Sequence, residues 1–142
     1  MWQRDATWSW QRSVGVARTP TVYAERHVRS TAYLQWMVRL WNHRRLHAKR
    51  YAAQVNRGTV PQIICRVFTP SETCATALTI AWRESNYQVT AWNSSDHGGL
   101  FQLGTSERAT YATIGYATAY EQTVAAHNLY LARGWQPWTC CE

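Results

Sequence analysis

Residues 82–103 read WRESNYQVTAWNSSDHGGLFQL, a single acid, Glu84, at the end of an apolar run, followed by two glycines and a glutamine. Working back from Glu84, Pro70-Ser71 opens a helical pattern, with Ser71 as the expected N-cap and Glu72 in the first turn. Apolar residues then fall at Cys74, Ala77, Leu78, Ala81 and Trp82, which is helical spacing. The helix is expected to stop near Asn86, which puts Glu84 in its last turn. There the negative end of the helix dipole and an apolar neighbourhood beside Trp82 both favour the neutral carboxyl and raise its pKa. An acid so placed can protonate a leaving oxygen; the plainer reading is a surface glutamate paired with Arg83 or Arg108. Working forward, Gly98-Gly99 lets backbone come close to a ligand or a neighbouring element. Leu100 and Phe101 can bury apolar bulk, and the Gln102 amide both donates and accepts.

The rest of the chain divides around this stretch. Residues 2–20 show no clear period, and Pro20 reads as a break. Over residues 22–55 Val28, Leu34, Met37, Val38, Trp41 and Leu46 recur at three- and four-residue steps, with arginines and lysines between them, which predicts a long basic amphipathic helix. Asn56-Arg57-Gly58 and Pro61 mark its end. Downstream, residues 105–114 read as a short helix closed by Gly115. Thr118 and Glu121 form a Thr-x-x-Glu capping box for a further helix that ends at Arg133 and Gly134. A minor hairpin is expected near residues 92–101. The fold class is therefore mainly α, with a basic N-terminal extension over residues 1–60 and a small helical domain over 61–142.

Charge follows the same division. Residues 1–60 hold eleven Lys or Arg against two acids, a net +9, whereas residues 61–142 hold four against six, a net −2. A basic segment is drawn to polyanions: nucleic acid, anionic lipid or an anionic wall polymer. The basic stretch carries no recognised nucleic-acid motif, and its aromatics are not spaced as a stacking platform, so specific nucleic-acid binding ranks last. The apolar runs are too short for a transmembrane span, and the polar, Trp-rich start does not read as a signal peptide. Four cysteines, Cys65, Cys74, Cys140 and Cys141, allow three pairings, and none has zinc-site spacing. His43 and His47 stand one helical turn apart, but no Glu follows His43. No metal and no cofactor is expected.

Taken in order, Ala81-Trp82-Arg83-Glu84-Ser85-Asn86, Ala91 and Asn93, and Gly99-Leu100-Phe101-Gln102 resemble the soluble lytic transglycosylases, which have a lysozyme-like fold. The tail, Glu121-Gln122 through Ala125-Ala126 to Gly134-Trp135-Gln136-Pro137-Trp138-Thr139-Cys140, is similar to actinobacterial members and to the related resuscitation-promoting factors. The resemblance covers about residues 64–140. It implies a peptidoglycan-cleaving enzyme with Glu84 as general acid/base for the bond between N-acetylmuramic acid and N-acetylglucosamine. It further implies that Ser85 supports the acid and the local turn and stands with the substrate-binding residues, that Gln102 contacts substrate, and that Asn93 and Gly99 belong to the binding loop. In related chains a cysteine often precedes the acid, where this one has Arg83; Cys65–Cys74 is the favoured disulfide, and the tail pair stays open. The Ala-Tyr-Asn motif of many transglycosylases is absent.

A transglycosylase needs one acid/base; a hydrolase usually adds a second carboxylate. Asp96 is the candidate for that role, with Glu107 next, although beside Ser94 and Ser95 Asp96 also reads as a turn former. Expected locations are the cell wall, the extracellular space or a virion, as a phage lysin or a wall-opening virion part. The basic helix would then contact an anionic wall polymer or the virion. The competing expectation is a non-catalytic wall-binding or virion structural protein that keeps the groove.

Overall fold

The computed structural model describes residues 2–13 and 31–141. These are mainly helical, with no strand among them. The chain forms two compact units, Met1–Val55 and Asn56–Glu142.

The first unit pairs two helices, α1 (Trp2–Ser13) and α2 (Thr31–Val55). The helix at α1 corrects the sequence reading, in which residues 2–20 lacked a period. Its few packing residues are polar or aromatic rather than aliphatic: Thr7 is fully buried, its hydroxyl donating to the Trp41 carbonyl at 3.2 Å, and Trp8 packs edge-on against Trp41 at 6.0 Å. In α2 the buried side is Met37, Trp41, Ala48 and Ala52, a stripe of four- and seven-residue steps. Leu34, Val38 and Leu46, expected on the packed stripe, are exposed, and so is Trp36. Residues 22–30 of the predicted helix, Val28 included, lie outside the described residues.

The second unit begins with α3 (Val60–Val67), where Pro61 sits inside the first turn and so does not mark a boundary before the helix. The Gln62 side chain accepts the Thr59 N–H at 2.9 Å, closing the helix start. Next comes α4 (Ser71–Ser85), capped by Pro70 rather than Ser71. Its buried positions are Cys74, Ala77, Ala81 and Ser85, all small, so neighbouring chain comes close to the helix. Trp82, assigned by spacing to this face, is instead 56% exposed and leans on Tyr87 at 5.4 Å. Asn86 ends the helix in the left-handed conformation, φ 52°, which Asn tolerates better than most residues. Cys65 of α3 and Cys74 of α4 lie at disulfide distance, with Cα atoms 5.0 Å apart. The side chains of Cys140 and Cys141 lie outside the described residues.

Residues 87–104 form an irregular loop with isolated bridges from Trp92 to Gly98 and from Gly98 to Leu103, in place of a regular hairpin. Two short elements follow: α5 (Thr105–Tyr111) and α6 (Ala119–Arg133). Both reciprocal bonds of the Thr118–Glu121 capping box form, and the Glu121 carboxylate also accepts the Ala117 N–H at 2.7 Å. A 3₁₀ turn, Gln136–Cys141, closes the chain. The core collects Ile64 and Phe68 from the α3 end, Ala77 and Ala81 from α4, Leu100, Phe101 and Leu103 from the loop, and Ala125, Ala126 and Leu129 from α6. Burying Leu100 and Phe101 contributes roughly 2–3 kcal/mol each, so the irregular segment is held by the core as firmly as a helix is.

One buried amide joins loop to helix. Gln122 of α6 is 3% exposed. Its Oε1 accepts the Leu100 N–H at 2.9 Å, and its Nε2 donates to the Val89 carbonyl at 3.0 Å and the Tyr116 carbonyl at 3.1 Å. Gly99, with φ 77°, makes this possible, because a Cβ there would stand 2.6 Å from the Gln122 side-chain oxygen. Replacing Gln122 with Ala strands one buried N–H and two carbonyls. Chemical denaturation should show a loss of about 3 kcal/mol.

Candidate functional site

Glu84, Gln102 and a set of loop residues line one cleft of about 290 Å³. Phe101, Leu103, Pro137 and Trp138 form its apolar wall, while Glu84, Asn93, Ser95, His97, Gln102 and Glu107 supply its polar atoms. No Lys or Arg lines it among the described residues.

Glu84 reaches the cleft from the last turn of α4. Its carboxyl is raised from the ordinary 4.5, chiefly by desolvation; the charge of Arg83 and the nearby His97 ring pull the other way and do not cancel it. The apolar surroundings come from the cleft wall rather than from Trp82. Of the two plain-surface partners, Arg108 is engaged elsewhere, whereas Arg83 acts on the Glu84 carboxyl by its charge. No hydrogen bond fixes the Glu84 carboxyl among the described residues, so it is available to a ligand.

Ser85, expected on the substrate side, is buried away from the cleft: its hydroxyl bridges the carbonyls of Ala81 and Leu100, both at 2.9 Å. It pins the acid-bearing helix end to the loop. Gly99 likewise is buried against Gln122 and does not line the cleft. Gly98 lies under the Trp92 ring, where a Cβ would come within 2.7 Å of three ring carbons. The glycine pair therefore admits neighbouring side chains of the same chain.

Gln102 does line the cleft, in a left-handed backbone conformation with φ 48°. Its Nε2 donates to the carbonyls of Gly99 at 3.0 Å and Ala91 at 3.2 Å. The nitrogen end is thus occupied, and the carbonyl end is what a ligand meets. Asn93 shapes the loop: its Oδ1 accepts the N–H groups of Ser95 at 2.9 Å and His97 at 3.1 Å. Its amide nitrogen takes no part in these bonds, and the residue lines the cleft.

Asp96, the candidate second carboxylate, is not brought into the cleft. Its oxygen accepts from Thr105 and from Arg108 at 3.3 Å, and these contacts, the Thr105 hydroxyl foremost, hold its carboxyl below the ordinary 3.8. Positive φ at Asp96, 58°, turns the chain so that its side chain faces α5. Glu107 lines the cleft instead, yet its Oε2 accepts the Gly104 N–H at 2.9 Å and its Oε1 stands 3.7 Å from Arg133.

Sequence reasoning gave Arg108 no such role. Its guanidinium donates to the carbonyls of Asp96, at 2.8 Å, and Leu103, and its Cζ lies 4.6 Å from the Trp92 ring centroid. It clamps both ends of the loop. Tyr116 adds a further tie, donating to the Gly98 carbonyl at 2.8 Å, while burial pushes its phenol up to about 12. Trp138 holds the wall, its indole N–H donating to the Phe101 carbonyl at 3.0 Å. The signal for Gln122 was present as one amide on the Ala125–Ala126–Leu129 face of a capped helix. His43 and His47 are exposed on α2, and no metal-holding group of three ligands exists among the described residues.

Comparison with family models, with curated proteins and with solved structures finds no match.

The raised Glu84 pKa has a consequence for stability with a definite sign. The folded chain holds this proton more tightly than the unfolded chain, so the group's contribution is present below 4.5 and is lost as pH rises through the raised value. Carboxyl-carbon NMR should place the Glu84 midpoint above 4.5 and that of Asp96 below 3.8. Glu84→Gln, neutral throughout, should remove this pH dependence and unfold at higher denaturant than the parent at pH 7.

Proposed function

We propose that the unit from Asn56 onward is a small lysozyme-like domain that cleaves peptidoglycan between N-acetylmuramic acid and N-acetylglucosamine, with Glu84 as general acid/base. The observation that carries this reading is Glu84 itself: a carboxyl of raised proton affinity that makes no hydrogen bond among the described residues, in one cleft with the Gln102 side chain. Two carboxylates and no lining cation make the cleft a poor host for phosphate or nucleic acid. Acceptors beside an apolar, partly aromatic wall suit a neutral, hydroxyl-bearing sugar ring.

In this mechanism the Glu84 proton passes to the glycosidic oxygen as its bond to the muramic-acid C1 breaks. The carboxylate then takes the proton of the sugar's own C6 hydroxyl as that oxygen bonds to C1. The product is a 1,6-anhydro end, and Glu84 is restored to its acid form. The reading favours this intramolecular attack over hydrolysis, because Asp96 stands outside the cleft and both oxygens of Glu107 face groups of the chain itself. The basic residues of α2 would then serve contact with an anionic wall polymer or a virion component.

Zymography on bacterial wall tests the assignment. Glu84→Gln should lower clearing at least about 100-fold, and mass spectrometry of the parent digest should show anhydro ends, one water lighter than reducing ends. Equal clearing by parent and variant, both well folded, rejects the enzyme and leaves a wall-binding or virion structural protein.

A further inference from the structure

His97, from the middle of the loop, lines the same cleft as Glu84. Its ring is fixed from behind: Nδ1 lies 3.0 Å from the Ser95 carbonyl, and the His97 backbone N–H is held by the Asn93 side chain. A carbonyl oxygen can only accept, so Nδ1 carries the proton of the neutral ring, and Nε2 is left as an acceptor. Nε2 sits over Gly104, where a Cβ would stand 3.2 Å from it and 3.6 Å from Glu107 Oε2. Glycine at that position leaves room for the ring.

The other polar atoms define what such an acceptor would meet. The Gln102 and Asn93 amides line the cleft with the Gln102 nitrogen and the Asn93 oxygen already bonded within the loop, which leaves the Gln102 carbonyl and the Asn93 nitrogen for a ligand, and Phe101, Leu103, Pro137 and Trp138 form an apolar wall. An acetamido group has one N–H to donate, one carbonyl to receive a donor and one methyl to bury. We infer that His97 is a ligand-orienting residue whose Nε2 accepts the N–H of an acetamido group on the bound glycan. This rests on the glycan reading of the cleft and goes further, in assigning the recognition of N-acetyl substitution to a named atom.

The inference fixes a sign with pH. Protonation of His97 turns the acceptor into a donor and removes the match to an N–H. The charged groups facing the ring are Glu84 of α4, with Arg83 beside it, Asp96 in the same loop and Glu107 of α5. Affinity for an acetamido sugar should therefore fall in acid, where the ring is protonated.

The test uses the full chain carrying Glu84→Gln, so that ligand is not cut, and calorimetry with the tetramer of N-acetylglucosamine against the tetramer of glucose. His97→Ala should weaken binding of the acetylated tetramer about tenfold, the value of one hydrogen bond, and leave the glucose tetramer unchanged. His97→Gln, which keeps an acceptor that does not titrate, should restore affinity and abolish the pH dependence. Equal losses for both ligands, or no loss with His97→Ala, overturns the inference while the glycan reading stands. Failure of either tetramer to bind before His97 is changed overturns both. Unfolding midpoints within a few degrees of the parent confirm that each variant is folded.

Discussion

The side-chain amide of Gln122 is the constraint on which the second unit depends. An irregular loop of eighteen residues has few ways to satisfy its own backbone, and buried N–H and carbonyl groups left unpaired are costly. Gln122 supplies two of the missing partners at once, to Val89 and Leu100, and a third bond to Tyr116. It can do so only because α6 is started rigidly by the Thr118–Glu121 box, and because Gly99 has no Cβ in the path. Ser85 makes the matching tie from α4 to Leu100. The loop is thereby fastened to two helices through adjacent atoms of a single residue.

The geometry of the cleft follows from those ties. With Leu100 and Phe101 drawn into the core, Gln102 is forced to the surface in a left-handed conformation, beside the last turn of α4. Glu84 then lines the same cleft as Phe101 and Trp138, half-buried, and desolvation outweighs Arg83 and His97 in setting its proton affinity. Arg108 closes the arrangement from outside by gripping the Asp96 and Leu103 carbonyls under the Trp92 ring. That clamp also draws Asp96 away from the cleft, so the carboxylate closest in sequence to the glycine pair takes no part in it. A loop held at both ends and at its middle is suited to keep binding atoms in fixed positions before a ligand arrives.

Local signals in the sequence were legible where one residue type has one physical use. Asn86 at the end of α4, the Thr118–Glu121 box and Gly134 after α6 all stand where capping chemistry places them. The position of Glu84 in a last helical turn and its company with Gln102 were readable for the same reason. Two patterns misled. Trp82 continues the apolar spacing of α4 yet faces solvent, because the small residues Ala77, Ala81 and Ser85 already fill the packed side. In α1 the absence of aliphatic periodicity concealed a helix, since Thr7 and Trp8 do the packing through a hydroxyl and an aromatic edge.

From the amino-acid order alone came several helix ends, the uneven charge, an acid in a last helical turn and the pairing options of four cysteines. These are local properties, decided by neighbours within about a turn of chain. Only the tertiary structure decided which polar groups line the cleft and which are consumed by the fold: Ser85, Gly99 and Asp96 lie inward or aside, while His97 and Glu107 line the cleft with Glu84. That choice belongs to backbone groups far apart in sequence that must be paired when buried, and no spacing rule along a single chain encodes it.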